Sequence, residues 1–102
     1  MWFEWEQGKD LRNQEVYGVA FSDAAAALAD RRRMQIEDPD GCGDAQRFAA
    51  IGLCHPLRQV LVSQCRRGSG RQVHIIASRP ATESEDRQYR RRLAALASPT
   101  TA

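Results

Sequence analysis

"RQVHIIASRPATESEDRQY" (residues 71–89) changes its hydrophobic rhythm halfway along, and that change decides the fold class. Val73 to Ala77 is a short apolar run and reads as a strand. Arg79-Pro80 ends it, because proline cannot donate to a sheet ladder. Thr82-x-x-Glu85 is then a capping box, in which hydroxyl and carboxylate serve each other's backbone N–H groups at a helix start. Tyr89, Leu93, Leu96 and Ala97 follow at helical spacing and form one apolar stripe. Strand and helix therefore share one short chain. Three groups in this stretch do nothing for a core: Arg71, Arg79 and the imidazole of His74. A site that handles phosphate could use all three.

Upstream lie two more strands, Arg47 to Leu53 and Gln59 to Cys65, joined through His55-Pro56. "RRGSG" (66–70) leads from the second into Gln72–Ala77. Such short connections favour antiparallel hairpins, since a parallel crossover needs about a dozen residues or more. "RRRMQIE" (31–37) reads as an edge-like strand, and "DPDGCGD" (38–44) as a turn. Nearer the start, "MWFEW" (1–5) is a short first strand. Lys9 to Tyr17 suits a helix ended by Gly18. Ser22 is the expected N-cap of a second helix over "AAAALAD" (24–30). The order gives an α+β domain: a mostly antiparallel sheet with two N-terminal helices and one C-terminal helix packed on one face. Residues 1–97 form a single domain on this reading, and "SPTTA" (98–102) a frayed tail.

The chain has 102 residues, enough for one domain with a real core. No apolar stretch approaches the roughly 20 residues that span a bilayer. The first residues lack the basic start and apolar centre of a signal peptide, so a cytoplasmic location is expected. Cys42, Cys54 and Cys65 are odd in number and contain no CxxC pair. That argues against a disulfide framework or a common zinc site and points to reduced structural thiols; no metal or cofactor is expected.

The net charge of +2 conceals an asymmetry. Residues 1–46 hold five basic groups against ten acidic ones, a balance of −5, whereas residues 47–102 hold ten arginines against Glu83, Glu85 and Asp86, a balance of +7. Arginine presents a planar fork that matches phosphate. A polyanionic partner follows from this bias as readily as a solvated helix face does.

The ordered motifs resemble the BrnT family of ribonuclease toxins from bacterial type II toxin–antitoxin pairs. "FEW" (3–5) with Lys9 and Asn13, "YGVAF" (17–21), "IEDPD" (36–40), "RFAAIGL" (47–53), "IIASRPA" (75–81) and Tyr89 carry the likeness, from about residue 2 to residue 90. The resemblance implies a RelE-like fold and metal-independent cleavage of RNA. It also implies neutralisation by a BrnA-like ribbon-helix-helix antitoxin, in a hetero-oligomer that meets operator DNA only through the antitoxin. Two positions depart from the family. Tyr17 stands where the family has the His of His-Gly, with Val16 in place of a basic residue before it. His74 stands where the family's strand begins with Arg. Both departures bear on activity more than on fold, which leaves open a catalytically weakened homologue that serves as antitoxin-binding partner and co-repressor.

Metal-free RNA cleavage needs a base for the 2′-hydroxyl, a cation for the crowded phosphorane and an acid for the leaving oxygen. Arg79, fixed by Pro80, is the first candidate for holding the phosphate; a salt bridge to Glu83 or Glu85 is the competing role. Arg67 joins it if the strand ends converge, and otherwise is a plain hairpin charge. His74, with an ordinary pKa of about 6.5, suits both proton tasks. Strict alternation, however, puts Arg79 on the side of Val73 rather than of His74. Tyr17 is a poor base at an ordinary pKa of about 10 and could equally pack at a helix end. Arg58, Arg47 and Arg71 complete the candidate RNA-binding set.

Overall fold

The computed structural model describes residues 2–42, 45–54, 58–68 and 70–97. The order is β1 (Trp2–Glu4), α1 (Gln7–Tyr17), α2 (Phe21–Leu28), β2 (Met34–Cys42), β3 (Ala45–Cys54), β4 (Arg58–Arg67), β5 (Gln72–Pro80) and α3 (Glu83–Ala97). The strands form one sheet in the order β1-β5-β4-β3-β2. β2 to β5 are an antiparallel meander, as the short connections require. β1 instead lies parallel to β5, with Trp2 opposite Gln72 and Glu4 opposite His74. The sheet is therefore mixed, which corrects the expected mostly antiparallel, RelE-like sheet. A parallel pair needs a long crossover, and here nearly the whole chain between β1 and β5 serves as one.

One face of the sheet carries the core. Val60, Val62, Ala50, Val73 and Ile75 share it and pack against Phe21, Ala24, Ala27 and Leu28 of α2. Gly52 sits directly beneath α2: a Cβ there would lie 2.2 Å from the Ala27 carbonyl oxygen. The glycine is what lets helix and strand approach so closely. α2 begins at Phe21, one residue ahead of the expected Ser22 cap, and its N-cap Ala20 makes no side-chain cap bond. The Phe21 N–H instead donates to Asp10 Oδ1 of α1 at 2.9 Å, so a neighbouring helix supplies the acceptor.

α1 buries polar residues, Asp10 and Asn13, rather than an apolar stripe. The reason is its site. β1 pairs only with residues 72–74, and beyond that point the edge of β5 needs another partner. Asn13 provides it: Nδ2 donates to the Ser78 carbonyl at 2.7 Å, and Oδ1 accepts from the Ser78 N–H at 3.1 Å. One amide side chain thus continues the ladder that the first strand abandons. Nδ2 also donates to the Val19 carbonyl at 2.8 Å, tying down the turn after Gly18, which takes the left-handed φ of 68° expected of a C-cap.

The helices do not sit together on one face as anticipated: α2 covers the sheet, α1 borders the β5 edge, and α3 touches β3. Of the expected α3 stripe Tyr89 is fully buried, Leu93 is half-buried and Leu96 is exposed. The Tyr89 hydroxyl donates to Asp30 Oδ2, which also accepts the Leu53 N–H at 3.0 Å. Burial and that bond to a carboxylate push the Tyr89 phenol up to about 12. The capping box forms as expected: Glu85 N–H to Thr82 Oγ1 at 3.2 Å and Thr82 N–H to Glu85 Oε1 at 2.8 Å.

Two further expectations change. β2 runs on through Cys42, with an irregularity after Asp38, so much of the expected turn over 38–44 is strand. Cys65 is disulfide-bonded rather than reduced, while Cys54 is a free, buried thiol whose pKa burial raises. His55-Pro56 and the tail over 98–102 lie outside the described residues. No helix among the described residues is long and apolar enough to cross a membrane.

Candidate functional site

The face away from α2 carries the polar groups in rows set by register. Arg79, Leu61, Ile51 and Met34 form one row; Ala77, Ser63, Ala49 and Ile36 the next; Glu4, His74, Cys65, Arg47 and Asp38 the third. Arg79 and His74 share this face despite their opposite parity, because β5 contains a bulge. Ser63 pairs with Ala77 and Gln64 with Ile75, which leaves Ile76 as an extra residue. One inserted residue exchanges the faces of everything after it. The burial agrees: Val73 and Ile75 are buried before the bulge, and Ser78 after it.

Tyr17, Arg47 and Arg79 meet around a cavity of about 210 Å³ whose walls also include Leu61, Ser63, Ala77 and Ser78. Arg47 reaches it from β3, with Nε 3.6 Å from Asp38 Oδ2 and Nη2 3.4 Å from Ser63 Oγ. Its Nε is buried and has no hydrogen-bond partner among the described residues. Arg79 forms a bidentate pair with Glu85, Nη1 to Oε1 at 2.7 Å and Nη2 to Oε2 at 2.9 Å, and Nη1 also donates to the Pro80 carbonyl at 3.2 Å. These bonds hold the Glu85 carboxyl down at about 2, and the same hydrogen bonds raise the Arg79 guanidinium above its usual value. The salt-bridge role weighed for Arg79 is thus present. It still leaves Nε and one Nη2 hydrogen, two of the five donors of a guanidinium, for another acceptor. Tyr17 is about half exposed at the end of α1 and also borders an adjoining cavity with Lys9, Arg12, Val16 and Ile76.

His74 and Arg67 line a separate cavity of about 240 Å³ with Glu4 and Cys65. His74 Nδ1 lies 3.6 Å from Glu4 Oε1, so β1 supplies a carboxylate to orient the ring. Arg67 is exposed. The structure therefore divides the predicted catalytic set in two: Tyr17 and Arg79 with Arg47 in one cavity, His74 with Arg67 in another on the same face. Arg58 belongs to neither; its Nη2 donates to the Gly18 carbonyl at 3.3 Å and braces the turn after α1. Arg71 is exposed in the β4–β5 turn, where its carbonyl accepts the Trp2 N–H.

Sequence reasoning missed Ser63, Glu4 and the pair Lys9 and Arg12. The two cations stand three apart on α1, a spacing that would have marked a shared helical face with Val16. Ser63 and Glu4 enter through pairing register alone, which single-strand patterns do not encode.

Comparison with known proteins fits this geometry into a family. Residues 5–85 match the model of the family described as the ribonuclease toxin, BrnT, of type II toxin–antitoxin systems. No curated protein matches the chain.

Proposed function

The chain belongs to the BrnT family of type II toxin–antitoxin ribonuclease toxins, and from that membership we propose that it cleaves single-stranded RNA without a metal at the cavity between Tyr17, Arg47 and Arg79. One observation carries the reading: two guanidinium groups and a phenol converge on a single open cavity. In such cleavage the ribose 2′-oxygen gives up its proton to water in the open cavity and attacks the adjacent phosphorus, a 2′,3′-cyclic phosphate forms, and the bond to the 5′-oxygen breaks. Arg47 and Arg79 stabilise the extra negative charge on the phosphorane, usually the larger catalytic term. Tyr17 delivers a proton to the leaving oxygen, a step worth on the order of 10²–10⁴-fold. His74 and Arg67 line the next cavity along the face, where they hold the adjoining nucleotide; His74 takes a proton-transfer role only for RNA whose reacting bond lies there. A ribbon-helix-helix antitoxin neutralises the protein by covering this basic face and carries it to operator DNA.

A second reading rests on the Arg79–Glu85 pair. A carboxylate already occupies most of the fork that a phosphate would need, so a weakened homologue that retains antitoxin binding and co-repression is the alternative. Incubating the protein with single-stranded RNA and a chelator decides between the two. Cleavage by the parent that falls at least tenfold in Arg47→Ala and in Tyr17→Phe supports the enzyme. Absence of cleavage with antitoxin binding intact supports the alternative, and equal cleavage by parent and both variants sinks the site assignment.

A further inference from the structure

A second group of arginines gathers at the start of β2, apart from the cavity assigned to cleavage. Arg31, Arg33 and Arg92 line a cavity of about 290 Å³ with Met34 and Gln35. Behind Gln35 stands Arg66, which is only 9% exposed and lies over the Phe48 ring at 5.8 Å. Register places Gln35, Phe48, Gln64 and Arg66 on the α2 side of the sheet, opposite Arg47 and Arg79.

The acceptors here are neutral: Arg33 Nη1 donates to the Asp30 carbonyl at 3.4 Å and Arg92 Nε to the Arg32 carbonyl at 3.3 Å. Gln35 Oε1 accepts from Arg33 Nε and from Arg66 Nη2, both at 3.3 Å. Gln64 Oε1 accepts from Arg66 Nε at 2.9 Å, and the Gln64 Nε2 group is buried with no partner among the described residues. None of Arg31, Arg33, Arg66 and Arg92 has a carboxylate within salt-bridge distance among the described residues. The nearby Asp30 is taken up by the Arg32 and Leu53 N–H groups and the Tyr89 hydroxyl. Burial, and then the charge of Arg33, lower the Arg66 guanidinium below its usual value. Like charges drawn together are costly, and an anion bound in the cavity relieves that repulsion.

We propose that Arg31, Arg33 and Arg92, backed by Arg66 and Gln35, form a second binding site for phosphate groups, distinct from the cleavage cavity. Phosphate suits the site better than a carboxylate. Three guanidinium groups lining one cavity, with a fourth behind Gln35, call for more than a single negative charge, and adjacent phosphates supply it in the geometry that arginine forks match. The phosphates come either from the RNA backbone or from a free polyphosphate. Binding there is independent of turnover at the cleavage cavity.

The test uses the full chain with chelator present, titrated with inorganic pyrophosphate and with a fluorescent single-stranded oligonucleotide that carries 2′-deoxy sugars and cannot be cleaved. Arg33→Gln with Arg92→Gln is the main variant, and unchanged circular dichroism shows that it folds. If the RNA backbone is the source, the variant binds the oligonucleotide about tenfold more weakly, and the log–log salt slope falls by roughly 1.4, about 0.7 per lost phosphate contact on a single strand. If a free polyphosphate is the source, pyrophosphate binds the parent and not the variant while oligonucleotide affinity stays put. Either result supports the site. Equal binding of both probes by parent and variant overturns it, as does a parent that binds an oligoglutamate peptide in preference to pyrophosphate. Arg47→Ala, run in parallel, reports on the cleavage cavity and keeps the failure of either assignment separate from the other.

Discussion

Asn13 shows how one side chain can stand in for a strand. It meets the N–H and carbonyl of Ser78 and the carbonyl of Val19, all away from solvent. Removing it strands buried backbone groups, each worth about 1–3 kcal/mol. Asn13→Ala is expected to lower stability by about 3 kcal/mol in urea denaturation, whereas an exposed neighbour such as Arg12→Ala changes it by under about 0.5 kcal/mol. Glu85 offers a second residue-scale prediction. Its folded pKa of about 2 lies below the ordinary 4.5, so its contribution is complete above about pH 5 and is lost as the pH falls towards 2. Arg79 is partly exposed, and screening reduces the contribution to about 1 kcal/mol. Glu85→Gln should cost that much at pH 7 and nothing near pH 2. The same substitution frees the Arg79 fork, so RNA binding by Glu85→Gln should strengthen severalfold if Arg79 faces phosphate; unchanged or weaker binding would count against that role.

At the scale of elements, the helices and the antiparallel meander were readable because their causes are local. Gly18 ends α1, the Thr82–Glu85 box opens α3, and short hairpins dictate β3, β4 and β5. What stayed hidden depends on partners distant in sequence. Asp10 caps α2 from another helix, so Ser22 was the wrong signal. β1 finds β5 about seventy residues away, a pairing that no window of sequence contains. The site was legible as a list of arginines, a tyrosine and a histidine, but not as two cavities, because the Ile76 bulge leaves no mark in an apolar run. The α2–β3 contact gives a further prediction. Gly52→Ala would set a methyl 2.2 Å from a backbone oxygen of α2, and neither element can yield cheaply. A loss of about 3 kcal/mol, with slower refolding or insoluble expression, is the expected outcome.

For the whole molecule, the sheet separates two arginine groups. Tyr17, Arg47 and Arg79 line a cavity on one face, while Arg33 and Arg66 project towards the other at the β2 edge. Substitutions farther apart than about 7–10 Å and without shared partners act independently. Oligonucleotide binding should therefore fall additively, in free energy, when Arg47→Ala is combined with Arg33→Gln and Arg92→Gln. Coupling beyond about 0.5 kcal/mol would mean that one patch, not two, meets the nucleic acid. The excess of positive charge in the second half of the chain is thereby resolved into places: two clefts on one face, a rim at β2, and the outer surface of α3, where Arg87 and Arg90 are already paired with Glu83 and Asp86.

The extra residue in β5 has a genetic consequence. Because Ile76 is the unpaired residue, loss of its codon would join Ile75 directly to Ala77 and leave their pairing with Gln64 and Ser63 unchanged. Arg79 would keep the face it shares with His74, and Ser78 would stay on the α2 side. Among diverging copies of such a gene, a three-nucleotide deletion at this codon should therefore remove the local kink of the strand without re-aiming the arginine.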